Sequence, residues 1–239
     1  MKQIISFFLS IFLYTFVHAG ISSANVVNVK IKPTSSKSKG MVAAANPLAS
    51  RAGVEILEAG GSAIDAAIAI QAMLGLVEPQ SSGLGGGAFM VVYDPKNAKV
   101  WSYNGREKAP SAASPDMFLD PQTKQPIPYR SGIASGVSTG VPGVITMLQK
   151  AHQDYGLLDW GVQFEPAIKT AESGFKVSPR MANITARMGR FALNKDKNAK
   201  DYFFLDDGNK TIPVGFLRDN PQYANTLRAL QKNPRALLE

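Results

Sequence analysis

The feature that most constrains this chain is a fifteen-residue apolar segment, residues 63–77, in which Asp65 and Gln71 are the only polar side chains. Ser62 immediately precedes the segment, and Asp65 lies three residues after Ser62. This is the capping-box spacing that begins a helix. A helix that is apolar on every side is buried on every side. Because fifteen residues fall short of the roughly 20 that cross a bilayer, the segment predicts a core helix rather than a membrane span.

The neighbouring segments predict a mixture of helices and strands around this core helix. Residues 88–93 are apolar on both faces, which predicts a strand covered above and below. Asn233 and Pro234 have the pattern of an N-cap and first-turn proline, and few residues follow them, so we expect a truncated piece of a longer protein. The remaining predicted elements are helices over residues 47–59, 140–152 and 164–174 and a returning strand over residues 100–103.

The first 39 residues are predicted to lie outside the fold. Lys2, an apolar run and the small residues around Ala19 have the layout of a signal peptide, residues 1–19, that is removed on export. Residues 20–39 carry four lysines among serines and predict a flexible basic arm. No aromatic residue interleaves with these lysines, so nucleic acid is not expected as a partner. We therefore expect a periplasmic or secreted protein with no stable membrane span.

The residue counts exclude several kinds of chemistry. The chain has no cysteine, which excludes a thiolate nucleophile, an iron–sulfur cluster and a cysteine-based zinc site. With two histidines, His18 and His152, it has no histidine cluster to hold a metal. The formal net charge of +8 is therefore not evidence for a nucleic-acid-binding or metal-binding protein.

A glycine-rich stretch, residues 82–87, invites comparison with phosphate-binding loops. Such loops lie between a strand and a helix, so that the helix N-terminal amides face the phosphate. Here the order is reversed, because the glycines follow a helix and precede a strand. Close backbone packing at the entrance to the strand is the favoured interpretation.

Residues 136–140 match the nucleophile-elbow pattern of esterases, with Ser138 at its centre. An exported esterase is therefore an alternative. Such an enzyme needs a histidine later in the chain, and His152 lies only 14 residues on, within the predicted helix. We interpret His152 as an ordinary residue of the helix surface.

Arg106 is the side chain best placed to bind an anion, because an Asn104-Gly105 turn presents it at the end of the predicted hairpin. A guanidinium can grip a carboxylate through two parallel hydrogen bonds. A surface arginine paired with Glu107 or another nearby acid is the interpretation that the residues alone favour.

Five blocks together resemble the N-terminal half of a gamma-glutamyltransferase (gamma-glutamyltranspeptidase, glutathione hydrolase). Their order and spacing agree with that family from about residue 40 to residue 239. The blocks are residues 40–44 (GMVAA), 60–67 (GGSAIDAA), 82–90 (SGLGGGAFM), 106–110 (REKAP) and 140–143 (GVPG).

The resemblance implies an α+β fold, part of the four-layer αββα N-terminal-nucleophile hydrolase fold, which is incomplete in this chain. It implies a precursor that cleaves itself into two subunits, and a Thr nucleophile at the start of the small subunit. That Thr attacks γ-glutamyl amides such as glutathione, and water or an amino acid or peptide then takes the γ-glutamyl group. Residues 40–239 correspond to the N-terminal part of the large subunit. No cofactor and no metal are expected.

Residue by residue, the resemblance carries over one functional position. Arg106 matches the arginine that binds the α-carboxylate of the γ-glutamyl group. No catalytic residue is expected within this chain, so we expect it to be inactive without the small subunit and the C-terminal remainder of the precursor. A cephalosporin or glutaryl acylase of the same superfamily, or a non-catalytic exported binding protein, is the alternative.

Overall fold

The computed structural model describes residues 40–133, 135–188, 193 and 196–238. The predicted signal peptide (residues 1–19) and basic arm (residues 20–39) lie outside the described residues. The helices are α1 (Pro47–Glu58), α2 (Ala63–Val77), α3 (Tyr129–Ile133), α4 (Val144–Tyr155), α5 (Glu165–Ser173), α6 (Pro179–Met188), α7 (Lys197–Phe203) and α8 (Pro221–Lys232). The strands are β1 (Ala88–Asp94), β2 (Lys99–Gly105), β3 (Phe175–Lys176), β4 (Phe204–Leu205), β5 (Lys210–Thr211) and β6 (Leu217–Arg218).

Helix α2 is the core helix that the sequence predicts. The hydroxyl of Ser62 accepts hydrogen bonds from the second and third helical N–H groups, and the carboxylate of Asp65 accepts one from the Ser62 N–H. Ile68, Ala69 and Ala72 have no exposed surface. Helices α1, α4 and α5 pack around α2, so the apolar segment lies at the centre of one continuous core.

The strands of the described residues form three small antiparallel pairs. β1 and β2 make a hairpin whose register runs from the pair Ala88 and Gly105 to the pair Asp94 and Lys99. β3 pairs with β6, and β4 pairs with β5. Among these residues the architecture is therefore a mixed α+β one, with helices around a hairpin.

The prediction that β1 is covered on both faces is wrong for the described residues. Met90 and Val92 pack against the core, whereas Phe89, Val91 and Tyr93 are 64%, 71% and 62% exposed. The hairpin has helices on one face, and no described residue covers the other. Two strands with one bare apolar face make an unusual protein surface, because large exposed apolar patches are typical of interaction sites.

Two predicted helix boundaries also differ from the structure. Helix α4 begins at Val144 and not at residue 140, because Val141 exchanges two backbone hydrogen bonds with Lys108 in an isolated bridge. Asn233 does cap the Arg235 N–H, but residues 234–238 form turns and no helix. Asn233 instead ends α8.

Within the part of the chain that the structure describes, no helix combines the length and the apolar character needed to cross a membrane.

Candidate substrate-binding site

Strand β2 delivers Arg106 to the end of the hairpin. The side-chain oxygen of Asn104 accepts a hydrogen bond from the Arg106 N–H at 3.0 Å, which closes an Asx turn at the last residues of the strand. Asn104 and Gly105 are therefore both the last residues of β2 and the first residues of that turn. Lys108 then pairs with Val141, so the chain is held on both sides of Arg106.

The side chain of Arg106 is 57% exposed, and its Nη1 lies 3.2 Å from Oε2 of Glu107. This is the ion pair that the residues alone favour. The Oε2 atom is buried and accepts no hydrogen bond from a described residue, so the two groups attract by charge alone. The directed N–H groups of Arg106 are therefore available for a bidentate contact with a second carboxylate.

Arg106 lies at the rim of a cavity of about 1060 Å³ between β2 and α4. This volume is at the upper end of the range for small-molecule sites, which is roughly 300–1,000 Å³. Arg106, Lys108 and Lys150 contribute positive charge to the walls, and Asp94 and Asp154 contribute negative charge. The net charge of the lining is therefore positive, which suits a small anion.

On the wall of the cavity, Tyr103 and Lys150 both donate hydrogen bonds to Asp154, and the charges of Lys150 and Asp154 cancel. Tyr103 donates its hydroxyl to Asp154 at 2.9 Å, and Lys150 donates to the other oxygen of Asp154 at 2.5 Å. Burial, with the Asp154 carboxylate, raises the pKa of Tyr103 to about 12. The hydrogen bond from Lys150, with that from Tyr103, lowers the pKa of Asp154. Lys150 is hydrogen-bonded to Asp154, whereas Arg106 has an ion pair with Glu107 but no side-chain hydrogen bond to a described residue, so Arg106 is better placed than Lys150 to bind a ligand.

The glycine-rich stretch is used for packing, as the sequence predicts. The carbonyl oxygen of Gly86 accepts hydrogen bonds from the N–H groups of Gly143 and Val144, at 3.1 and 3.2 Å. A carbonyl therefore occupies the N-terminal amides of α4 that an anion would otherwise contact. This arrangement argues against a phosphate site at the stretch.

The structure does not bring Ser138 and His152 together as a catalytic pair. The Ser138 hydroxyl donates to the carbonyl oxygens of Ile133 and Ser135, within its own turn. His152 is half-buried, and its Nε2 lies 2.8 Å from the carbonyl oxygen of Leu158. Since a carbonyl can only accept, Nε2 carries the proton and cannot act as a base toward Ser138. The interpretation of His152 as an ordinary surface residue is wrong.

His152 belongs to a buried polar cluster that sequence reasoning missed. At its centre lies Asp65, which has no exposed surface. Asp65 accepts hydrogen bonds from the N–H groups of Ser62 and Leu157 and from the amide of Gln163, and His152 Nε2 is 3.5 Å away. Burial alone would raise the pKa of Asp65, but these hydrogen bonds lower it below its usual value. The available signal was an acidic residue inside a helix whose only other polar side chain is Gln71.

Glu78, at the other end of α2, is a second buried carboxylate that the sequence analysis did not single out. One oxygen accepts hydrogen bonds from the amide of Asn46 and the hydroxyl of Ser178, at 2.9 and 2.8 Å. The other accepts from Gln80 and Arg180. Glu78 therefore ties the starts of α1 and α6 to the end of α2, and its role is structural.

Comparison with known proteins places these features in a family. The family model for gamma-glutamyltranspeptidase matches residues 49–238. The chain belongs to this family. The resemblance that the five sequence blocks carry is thereby confirmed.

Gamma-glutamyltranspeptidases and related proteins match both the sequence and the structure. The chain is 46% identical over 143 residues to the glutathione hydrolase proenzyme of Bacillus subtilis strain 168, which covers 60% of this chain and 24% of that protein. The crystal structure of Helicobacter pylori gamma-glutamyltranspeptidase aligns with a TM-score of 0.79 at 31% identity, over 87% of this chain and 58% of that one. Cephalosporin acylase from Bacillus halodurans aligns with a TM-score of 0.67 at 28% identity, over 87% of this chain and 39% of that one.

These matches define the share of the family fold that the chain represents. It spans about a quarter of the length of the Bacillus subtilis relative. The fold is therefore a partial α+β member of the gamma-glutamyltranspeptidase family. Within the described residues there is no group of three or more His, Cys, Asp or Glu side chains that could hold a metal ion.

Proposed function

We propose that this chain forms part of a γ-glutamyltransferase that cleaves γ-glutamyl amides such as glutathione, with Arg106 binding the α-carboxylate of the γ-glutamyl group. The observation that carries the proposal is the position of the Arg106 guanidinium. This group lies at the rim of a cavity, and it donates no hydrogen bond to a described residue. The family membership supports the reaction, because the related Bacillus subtilis protein is named a glutathione hydrolase.

In this proposal the chain supplies binding and not covalent chemistry. The two N–H groups of the guanidinium fork grip the α-carboxylate and orient the γ-amide toward a nucleophile. That nucleophile is a Thr at the start of the small subunit, outside these 239 residues. Its hydroxyl oxygen attacks the γ-amide carbonyl carbon, the amide C–N bond breaks, and the amine leaves with the hydroxyl proton. Water or the amino group of an amino acid or peptide then attacks the resulting ester, takes the γ-glutamyl group and returns a proton to the Thr oxygen. The chain alone is therefore inactive.

The bare face of the β1–β2 hairpin supports the proposed partner. Phe89, Val91 and Tyr93 leave water only if further structure packs on them, and the chain represents a quarter of the related proenzyme. We assign this face to the remainder of the same precursor, as the second sheet layer of a four-layer αββα fold. The predicted signal peptide, residues 1–19, supports a periplasmic or secreted location for the assembled enzyme.

The proposal is tested by steady-state kinetics on the full-length precursor after autoprocessing. In the proposed complex the substrate and the small subunit cover the Arg106 side chain, and truncating one partner of a buried, hydrogen-bonded charge pair costs roughly 2–5 kcal/mol. Arg106→Ala is therefore expected to raise KM for γ-glutamyl-p-nitroanilide by about 30-fold or more. Arg106→Lys is the matched variant, since it keeps the charge but loses the fork, and it should recover only part of the loss. Unchanged KM and kcat in Arg106→Ala would overturn the role.

An acylase of the same superfamily is the second candidate, and the alignment with cephalosporin acylase favours it. The two functions differ in the α-amino group of the substrate. A γ-glutamyltransferase is expected to prefer γ-glutamyl-p-nitroanilide to glutaryl-p-nitroanilide, and an acylase the reverse. A full-length protein that cleaves neither but binds glutamate would instead be a non-catalytic exported binding protein.

A further inference from the structure

We infer that Gly87 and Gly143 are positioning residues for Arg106, held as glycine because a side chain at either position would displace the substrate-binding arginine. The inference rests on the proposed role of Arg106. It assigns a task to two glycines that come from different blocks of the sequence and meet at the same point of the fold. Neither has a backbone conformation that requires glycine, since both lie outside the left-handed region.

Gly143 presses directly on the backbone of the arginine. A Cβ atom at this position would lie 2.5 Å from the carbonyl oxygen of Gly105 and 2.8 Å from that of Arg106. Both contacts are with main-chain atoms, which cannot rotate away as a side-chain end can. The same residue donates its N–H to Gly86, so it cannot retreat without losing that bond.

Gly87, at the end of the glycine-rich stretch, also lies very close to Arg106. A Cβ atom here would lie 2.9 Å from the Cα of Arg106 and 2.5 Å from Oε2 of Glu107. This Oε2 is the atom beside the Arg106 guanidinium. Ordinary contacts to a Cβ atom begin at 3.4 Å, so Gly143→Ala requires the main chain of Gly105 and Arg106 to shift by up to about 0.9 Å. Gly87→Ala requires a shift of about 0.5 Å at the Arg106 Cα and displaces the Glu107 carboxylate.

The same glycine-rich stretch contains matched controls. Cβ atoms built at Gly83 and Gly85 meet no atom within 4 Å, and neither glycine has a positive φ. Alanine at these positions adds the same methyl group to the same stretch but displaces nothing. Any effect of alanine that is confined to Gly87 and Gly143 must therefore come from the contacts around Arg106.

The experiment uses the full-length, autoprocessed enzyme and two substrates. γ-Glutamyl-p-nitroanilide carries the α-carboxylate, and 4-aminobutyryl-p-nitroanilide lacks it. Because a displacement of about 1 Å can cost on the order of 100-fold, Gly87→Ala and Gly143→Ala are expected to raise KM for the first substrate by about 10- to 100-fold. Reactivity toward the second substrate should change by less than about threefold, since no carboxylate has to be positioned.

Gly83→Ala and Gly85→Ala are expected to leave both substrates within about twofold of wild type, because the added methyl group meets no atom. Equal effects of all four alanine variants would overturn the inference, as would equal effects on the two substrates, which indicate a general loss of structure. If Gly143→Ala does not fold, Gly87→Ala carries the test, with autoprocessing as the check on folding.

A double-mutant cycle separates this inference from the proposed function. In an Arg106→Ala background, Gly87→Ala should have little further effect on KM, since the group that it misplaces is gone. If Arg106→Ala lowers affinity but Gly87→Ala acts independently of it, the inference fails and the proposed function stands. If Arg106→Ala has no effect, the proposed function itself fails.

Discussion

Removal of the Asp65 carboxylate is expected to loosen two distant parts of the chain together. Asp65 lies at the start of α2, yet it accepts the N–H of Leu157, 92 residues away, and the side-chain amide of Gln163. It also accepts the N–H of Ser62 as part of the capping box. One buried carboxylate thus holds both the first turn of α2 and the loop between α4 and α5.

The magnitude follows from the donors that the substitution leaves behind. Asp65→Ala leaves the N–H groups of Ser62 and Leu157 and the amide of Gln163 without their acceptor. Each buried, unsatisfied donor costs roughly 1–3 kcal/mol, and because such costs are not additive we expect about 3–5 kcal/mol in all. Asp65→Asn keeps the shape but turns one acceptor into a donor, so about 2–3 kcal/mol is expected.

Hydrogen exchange by mass spectrometry on the full-length precursor measures this loss locally. Since 1.4 kcal/mol is a factor of ten, Asp65→Ala should accelerate exchange in peptides covering residues 62–70 and 156–164 by about 100- to 4,000-fold. Asp120→Asn is the control, because the carboxylate of Asp120 accepts hydrogen bonds from the N–H groups of Gln122 and Thr123, which belong to its own turn. Acceleration in one peptide without the other would refute the idea that Asp65 couples them.

Three further predictions concern acid stability, the serine motif and the isolated chain. Because the pKa of Asp65 is lowered in the folded protein, its stabilisation is full above its ordinary value of 3.8 and is lost as pH falls through the lower folded value. Asp65→Asn should therefore flatten the acid side of a stability-against-pH curve, and an unchanged slope would contradict this. Ser138→Ala should leave kcat/KM of the full-length enzyme within about twofold, since its hydroxyl bonds only to carbonyls among the described residues; a loss of about 100-fold or more would make Ser138 the nucleophile. Residues 20–239 expressed alone should be inactive and poorly soluble because of the bare hairpin face, and a sharp cooperative melt from this chain would argue otherwise.

The elements that the sequence predicts best are those that depend on neighbouring residues. The capping box of Ser62 and Asp65, the apolar run of α2 and the positive φ of Gly174 at the end of α5 are all local signals. Arg106 could also be placed at a strand end, because the hairpin pattern and the Asn104 turn lie within a few residues of it.

The features that sequence reasoning missed depend on distant contacts. His152 leaves the surface because the following loop folds back over Asp65, which no periodicity in α4 reveals. The continuous apolar run of β1 indicates burial on both faces, but the described residues cover only one of them. Gly87 and Gly143 both lie close to Arg106, although the two glycines are more than fifty residues apart in the chain. This proximity can be seen only in the folded structure.

The central claim is that Arg106 recognises the α-carboxylate of a γ-glutamyl substrate. The most direct test is the ratio of kcat/KM for γ-glutamyl-p-nitroanilide to that for 4-aminobutyryl-p-nitroanilide, measured for the full-length wild type and for Arg106→Ala. A charge-assisted bidentate contact predicts a preference of about 30-fold or more in the wild type, falling to within about threefold in the variant. A preference for the carboxylate that survives in Arg106→Ala would show that another group binds it and would contradict the account.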